Sequence, residues 1–212
     1  MIDILASLAP LVVLIPLIGA GLTLVVGRRA RAQRLIALAA LVAVLGVGVA
    51  LLLGVDASGT VVVEVGGWQA PFGIVLVVDR LSALMVVVST VVLLAVLIFS
   101  IGQGLADGDD ETPVSIYYPT YLILTTGVMI AFISGDLFNL YVGFEVLLVA
   151  SYVLITLGGT ESRIRAGVTY VVVSLVSSTL FLAAIAMVYG ALGTVNLAQI
   201  AIRIVDIPLD TQ

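Results

Sequence analysis

One residue in this chain stands where its chemistry is most expensive. Glu145 lies near the centre of an otherwise apolar stretch, residues 137–157. Insertion scales put a central Asp, Lys or Arg of a membrane helix at about 2.5–3.5 kcal/mol, and a glutamate should cost a similar amount. Ionisable groups at such depth usually face the interior of a helix bundle and mark ion or proton paths. On a helical wheel Phe138, Tyr141, Leu148, Tyr152 and Thr156 share the face of Glu145, and Asp136 lies opposite. That face offers two phenols and a hydroxyl to solvate bound water. Burial disfavours the charged form of a carboxylate and a nearby cation favours it. A carboxylate held between those influences can exchange protons near neutral pH. No basic residue of this chain shares its depth, so a cationic partner is expected from another polypeptide. The competing reading is a protonated glutamate that only hydrogen-bonds a neighbouring helix.

The next apolar stretch carries a polar stripe. Tyr170, Ser174, Ser177 and Phe181 follow helical spacing, with Ser178 and Thr179 beside them. They can line one wall of a hydrated half-channel together with Tyr141, Tyr152 and Thr156. Small hydroxyl residues also let helices pack closely and bond their own backbone, and the pattern suits that role equally well. Asp136 and Asn139, between two apolar stretches, are helix-capping types; the same position also suits a pathway entrance.

These side chains need elements to hold them, and composition says of what kind. The chain has 212 residues, 62% hydrophobic and 10% charged, with a mean hydropathy of +1.34. A water-soluble surface of this size requires far more charge, so the surrounding solvent must largely be lipid. About 20 apolar residues cross the hydrocarbon layer as a helix. Stretches of that kind fall at about 8–27, 35–54, 81–102, 116–134, 137–157 and 166–189. The expected fold is therefore an all-α integral membrane protein of about six transmembrane helices in a single membrane domain. Between the second and third helices, Thr60 to Val65 and Ile74 to Val78 are β-branched runs around a Gly- and Pro-containing turn, which predicts a short extracytoplasmic hairpin. Trp68 in that turn suits a membrane interface, and Asp79 suits the cap of the third helix. At the end of the chain, Leu197, Ile200, Ala201 and Ile204 share one face of an amphipathic segment that can lie in the membrane surface.

Cysteine and histidine are absent. Thiolate metal sites, disulfides, histidine- or cysteine-ligated haem and nucleophile–histidine pairs are thereby excluded within the chain. No cofactor and no metal are expected in it. The acids Asp107, Asp109, Asp110 and Glu111 read as a solvated loop, without the spacing of a cation site. All eight basic residues are arginines. Arg28, Arg29, Arg31, Arg34, Arg163 and Arg165 fall on one side of the expected bundle, Arg80 and Arg203 on the other. Positive charge favours the cytoplasmic side, so both termini are expected outside a plasma membrane. One short arginine loop is too little for nucleic-acid binding.

The run from Gly135 to Ile155, Gly-Asp-Leu-Phe-Asn-Leu-Tyr-Val-Gly-Phe-Glu-Val-Leu-Leu-Val-Ala-Ser-Tyr-Val-Leu-Ile, resembles the fifth-helix motif of antiporter-like membrane subunits. That superfamily joins proton-pumping subunits of NADH–quinone oxidoreductase to Mrp-type multisubunit cation/proton antiporters. Phe144, where the respiratory subunits usually have Trp, points to the Mrp-type D subunit. Gly73 to Met85 and Gly193 to Ile200 are similar to it as well. The resemblance implies about fourteen helices with two inverted five-helix repeats, and a first half-channel built on the glutamate that is here Glu145. Its implied partner is a lysine on a seventh helix. This chain has no lysine and reaches Gln212 before such a helix, so a chain bearing the lysine helices is expected among its partners. A split subunit and a truncated product both fit.

Three functions follow as expectations. The first is a subunit of a sodium or other monovalent cation/proton antiporter, working with further subunits. The second is a proton-pumping subunit of a quinone oxidoreductase or membrane-bound hydrogenase, with redox cofactors in its partners. The third is a structural fragment without transport.

Overall fold

The computed structural model describes residues 2–27, 29–103 and 116–206, and the acidic loop expected at Asp107, Asp109, Asp110 and Glu111 lies outside them. The elements run α1 (Ile2–Leu8), α2 (Leu11–Val26), α3 (Ala30–Ser58), β1 (Val61–Glu64), β2 (Val75–Val78), α4 (Arg80–Gly102), α5 (Tyr117–Ile133), α6 (Leu137–Thr156), α7 (Glu161–Leu192) and α8 (Leu197–Arg203). Among the described residues, five helical stretches are long and apolar enough to cross a membrane, and α5, with 17 residues, is a shorter apolar helix. Seventeen is about the lower bound for a spanning helix.

Helix ends follow local chemistry. Proline cannot donate a backbone hydrogen bond, so Pro10 separates α1 from α2, and its carbonyl accepts the first bonds of α2 from Val13 and Leu14 at 3.1 and 3.0 Å. Helix α3 begins at Ala30 and takes Arg31 and Arg34 into its first turns. Helix α7 begins at Glu161 and includes Arg163 and Arg165. Apolarity marks the membrane-compatible part of a helix, and hydrogen bonding carries the helix beyond it. Asp79 and Ser82 form a reciprocal capping box at the start of α4, with Ser82 N donating to Asp79 Oδ1 at 2.7 Å. Arginines work at the opposite ends: Arg163 donates to Leu157 O beyond α6, and Arg203 Nη1 donates to Leu192 O beyond α7 at 2.7 Å.

Strands β1 and β2 pair antiparallel in the register Val61↔Val78 to Glu64↔Val75. Their inward side chains join Leu5, Val12, Val55, Val86, Met129 and Ile133 in one apolar core. A second core, around Leu41, Leu97, Tyr118 and Leu122, fills the opposite end of α2–α5.

The closest helix pair is α5 with α6. A Cβ on Gly127 would meet Leu147 N at 2.6 Å and Gly143 O at 2.8 Å, and a Cβ on Gly143 would meet Ala131 N at 3.0 Å. Two glycines therefore let the two backbones touch, the small-residue route to helix association in lipid. Helix α7 lies along the other side of α6 at the margin of the bundle. Its outer apolar side chains, such as Val172, Leu175 and Leu180, are exposed.

Candidate functional site

Glu145 is eight residues into α6, about 12 Å along the axis at 1.5 Å per residue. The glycine contact fixes one face of α6 on α5, and the face with Glu145 meets α7. There the Ser178 hydroxyl donates directly to Glu145 Oε1. The Tyr141 hydroxyl lies 3.3 Å from Ser178 Oγ. A serine has one proton to give. With Ser178 donating to the carboxylate, Tyr141 must be the donor to Ser178. The three side chains thus form a directional chain, Tyr141 to Ser178 to Glu145. Its walls are aromatic: Phe181 meets Tyr141 and Phe144 edge-on, with centroids 5.9 and 6.2 Å apart.

Two turns further along, Ser151 Oγ lies 3.1 Å from Tyr170 OH, and the Tyr170 ring packs edge-on against Tyr152 at 5.3 Å. Between the two polar groups stand Leu148, 5% exposed, and Ser174, 7% exposed. The seam of α7 reads Gly167, Tyr170, Ser174, Ser178, Phe181, Ile185. The described arginines sit at helix ends, so the partner of Glu145 within this chain is a hydroxyl.

Of the residues expected at the site, Tyr141, Tyr152, Ser174 and Ser178 lie along this seam with Glu145. Two lie elsewhere. Ser177 is exposed and donates to Val173 O at 3.0 Å, and Thr156 donates to Tyr152 O at 2.8 Å, so both hydroxyls serve their own helices. Ser151 joins the seam without any distinguishing mark in the sequence.

Asp136 and Asn139 are buried at the α5–α6 turn, away from the seam. Asp136 Oδ1 accepts from Asn139 N at 2.7 Å as the cap of α6, and Oδ2 accepts from Val75 N at 3.4 Å. Asn139 Nδ2 donates to Ser134 Oγ at 2.8 Å. Backbone bonds strengthen the junction: Gly135 N to Val75 O at 2.7 Å, Leu137 N to Val195 O at 2.9 Å and Leu197 N to Gly135 O at 3.0 Å. The chain can reach this point because Gly193 ends α7 in the left-handed region, φ 66°. One turn therefore ties together the hairpin, the start of α6 and the end of α7. Asparagine caps a helix about as well as aspartate. Asp136→Asn should therefore unfold near the wild-type temperature and keep its transport. Asp136→Ala should lose about 1 kcal/mol, read as a lower thermal midpoint of the assembled complex. Loss of transport in a stable Asp136→Asn protein would instead make the charge itself functional.

Long apolar helices, a short hairpin at the helix junction and a helix-borne glutamate facing a hydroxyl stripe define a multi-pass membrane protein of the antiporter-like fold. Residues 134–207, which hold α6 to α8, match the family model described as NADH:quinone oxidoreductase/Mrp antiporter, TM. The chain is a homologue of antiporter D subunits: it is 39% identical to the Na(+)/H(+) antiporter D subunit of Alkalihalophilus pseudofirmus over 93% of its own length and 39% of that protein's. Among solved structures, a chain of the Mrp complex from Dietzia sp. superposes with a TM-score of 0.82 at 33% identity, covering 91% of this chain and 36% of that one. A chain of an archaeal respiratory membrane complex, the membrane-bound sulfane sulfur reductase, superposes with a TM-score of 0.85 at 26% identity, covering 96% and 41%. This chain thus spans about two-fifths of the length of these relatives.

Proposed function

We propose that this chain is part of a multisubunit sodium/proton antiporter and that Glu145 carries protons within it. The observation that supports this most is the carboxylate at mid-helix, held by Ser178 and Tyr141, in a homologue of Na(+)/H(+) antiporter D subunits. In this reading a proton reaches Glu145 when each hydroxyl passes on its own proton and accepts another. Glu145 then gives the proton to a cationic group on a partner, which we assign to a chain bearing lysine helices. The bundle spans the plasma membrane through α2 to α7 in a single membrane domain. The arginine-rich ends of α3 and α7 face the cytoplasm, and the hairpin and both termini face outward.

A second reading has one observation in its favour, the superposition on a chain of a respiratory complex. There the same proton step would be driven by electron transfer in partner subunits. The two separate cleanly. In vesicles of the assembled complex carrying an imposed pH gradient, the antiporter reading expects sodium addition alone to collapse the gradient. A gradient that ignores sodium, and forms only when an electron donor and a quinone are supplied, would establish the redox reading.

A further inference from the structure

Tyr141 and Ser178 approach Glu145 from the hairpin end of the bundle. Tyr170 and Ser151 lie towards the arginine-bearing end. Tyr170 also lines a recess of about 990 Å³ beside the first turns of α7, with Glu161, Arg165, Thr169 and Val173 on its wall. The Tyr170 hydroxyl that borders this recess is the one that reaches Ser151 across the seam.

The next step is interrupted. Ser151 is six residues from Glu145, about 9 Å along the helix, well beyond a hydrogen bond. Leu148 occupies the intervening position, three residues from each. It is 5% exposed, and the residue level with it on α7 is Ser174, 7% exposed. Protons need an unbroken file of hydroxyls or water, and an alkyl side chain provides neither. A carboxylate open to both polar groups at once would also leak protons between the two sides.

We propose that Tyr170 and Ser151 form an inlet from the recess, and that Leu148 is a dry gate between that inlet and Glu145. This rests on the reading of Glu145 as a proton carrier and adds the side of access, the relay residues and the barrier. When Leu148 moves aside, water admitted beside Ser174 completes the file. Tyr170 and Ser151 are then positioning residues for the proton, and Leu148 prevents the leak.

The chain has no cysteine, so single cysteines can report access in the assembled complex without background. In vesicles, Ser151→Cys should react with a membrane-impermeant thiol reagent applied from the arginine-bearing side. Ser178→Cys should resist that reagent, and should become reactive from that side once Leu148→Ala is added. Tyr170→Phe keeps the ring on Tyr152 and removes the bond to Ser151. It should slow sodium-driven proton exchange about tenfold, the equivalent of one lost hydrogen bond, at an unchanged half-saturating sodium concentration. A Ser151→Cys thiol that does not react from that side, a Ser178→Cys thiol that reacts from it with Leu148 intact, or a Tyr170→Phe protein at the wild-type rate would each overturn the proposal. Labelling does not depend on turnover. If Glu145→Gln still exchanges protons while the labelling pattern holds, the carrier reading fails and the route stands.

Discussion

Glu145→Gln should abolish sodium-dependent collapse of a pH gradient in vesicles of the assembled complex, while the complex forms in normal yield. The amide is nearly isosteric with the carboxylic acid, and its oxygen can still accept from Ser178. What it cannot do is take up and release a proton. Removing a positioned proton-transfer group costs about 10²–10⁴-fold in rate, enough to leave no exchange above leak. Glu145→Asp keeps the acid on a stem one methylene shorter and pulls it back from Ser178. Its rate should fall between wild type and Gln. Ser178→Ala provides the complementary result. It removes the hydroxyl link to Tyr141 and should slow exchange about tenfold, the scale of one hydrogen bond, because water can take the place of a missing hydroxyl more readily than of a carboxylate.

The second large effect concerns position. Gly127 and Gly143 face each other across α5 and α6, and each added Cβ would meet backbone of the opposite helix within about 3 Å. Backbone cannot rotate away as a side-chain tip can, so the helices must separate. Overpacking of this kind costs about 1–3 kcal/mol. Gly127→Ala should cost more than Gly143→Ala, because both of its shortest contacts are backbone atoms, at 2.6 and 2.8 Å. The two changes act at one contact, so the double variant should lose less than the sum. Thermal unfolding of the purified complex measures all three. Gly143 is two residues from Glu145, so Gly143→Ala should also push the carboxylate against α7 and slow exchange. Gly19, which is on α2 and also closely packed, at 3.1 Å from Ala40 Cβ, should reduce stability when replaced by Ala without a selective effect on exchange.

How far the sequence reaches can be judged from particular residues. Hydropathy locates the apolar helices, since lipid demands it of every spanning helix, and β-branched runs around Gly66 and Gly67 locate the hairpin. It misses the break at Pro10 and the helical turns that carry Arg31, Arg34 and Arg163, where hydrogen bonding rather than apolarity decides. Glu145 stands out because a charge in an apolar stretch has no cheap explanation. Its hydroxyl partners are harder to choose. Ser177 and Ser178 follow Ser174 at three and four residues, and both spacings are compatible with one helix face. Only the placement of α7 against α6 selects Ser178 and turns Ser177 away. Ser151 is easily missed because a serine in a membrane helix most often bonds its own backbone, and this one does donate to Leu148 O at 2.8 Å. Its second contact, with Tyr170, depends on a residue 19 positions away. Asp136 is legible as a cap, but its bond to Val75, 61 residues earlier, is not.

Everything proposed for this chain depends on one carboxyl group gaining and losing a proton inside the bundle. Infrared difference spectroscopy of the assembled complex, triggered by a sodium pulse, observes that event directly. The expected spectrum contains the carbonyl stretch of a protonated carboxylic acid, absent from Glu145→Gln and displaced in Ser178→Ala, where the acid has lost its donor. A band that persists unchanged in Glu145→Gln, or a wild-type spectrum with no carboxyl signal during turnover, would contradict the account.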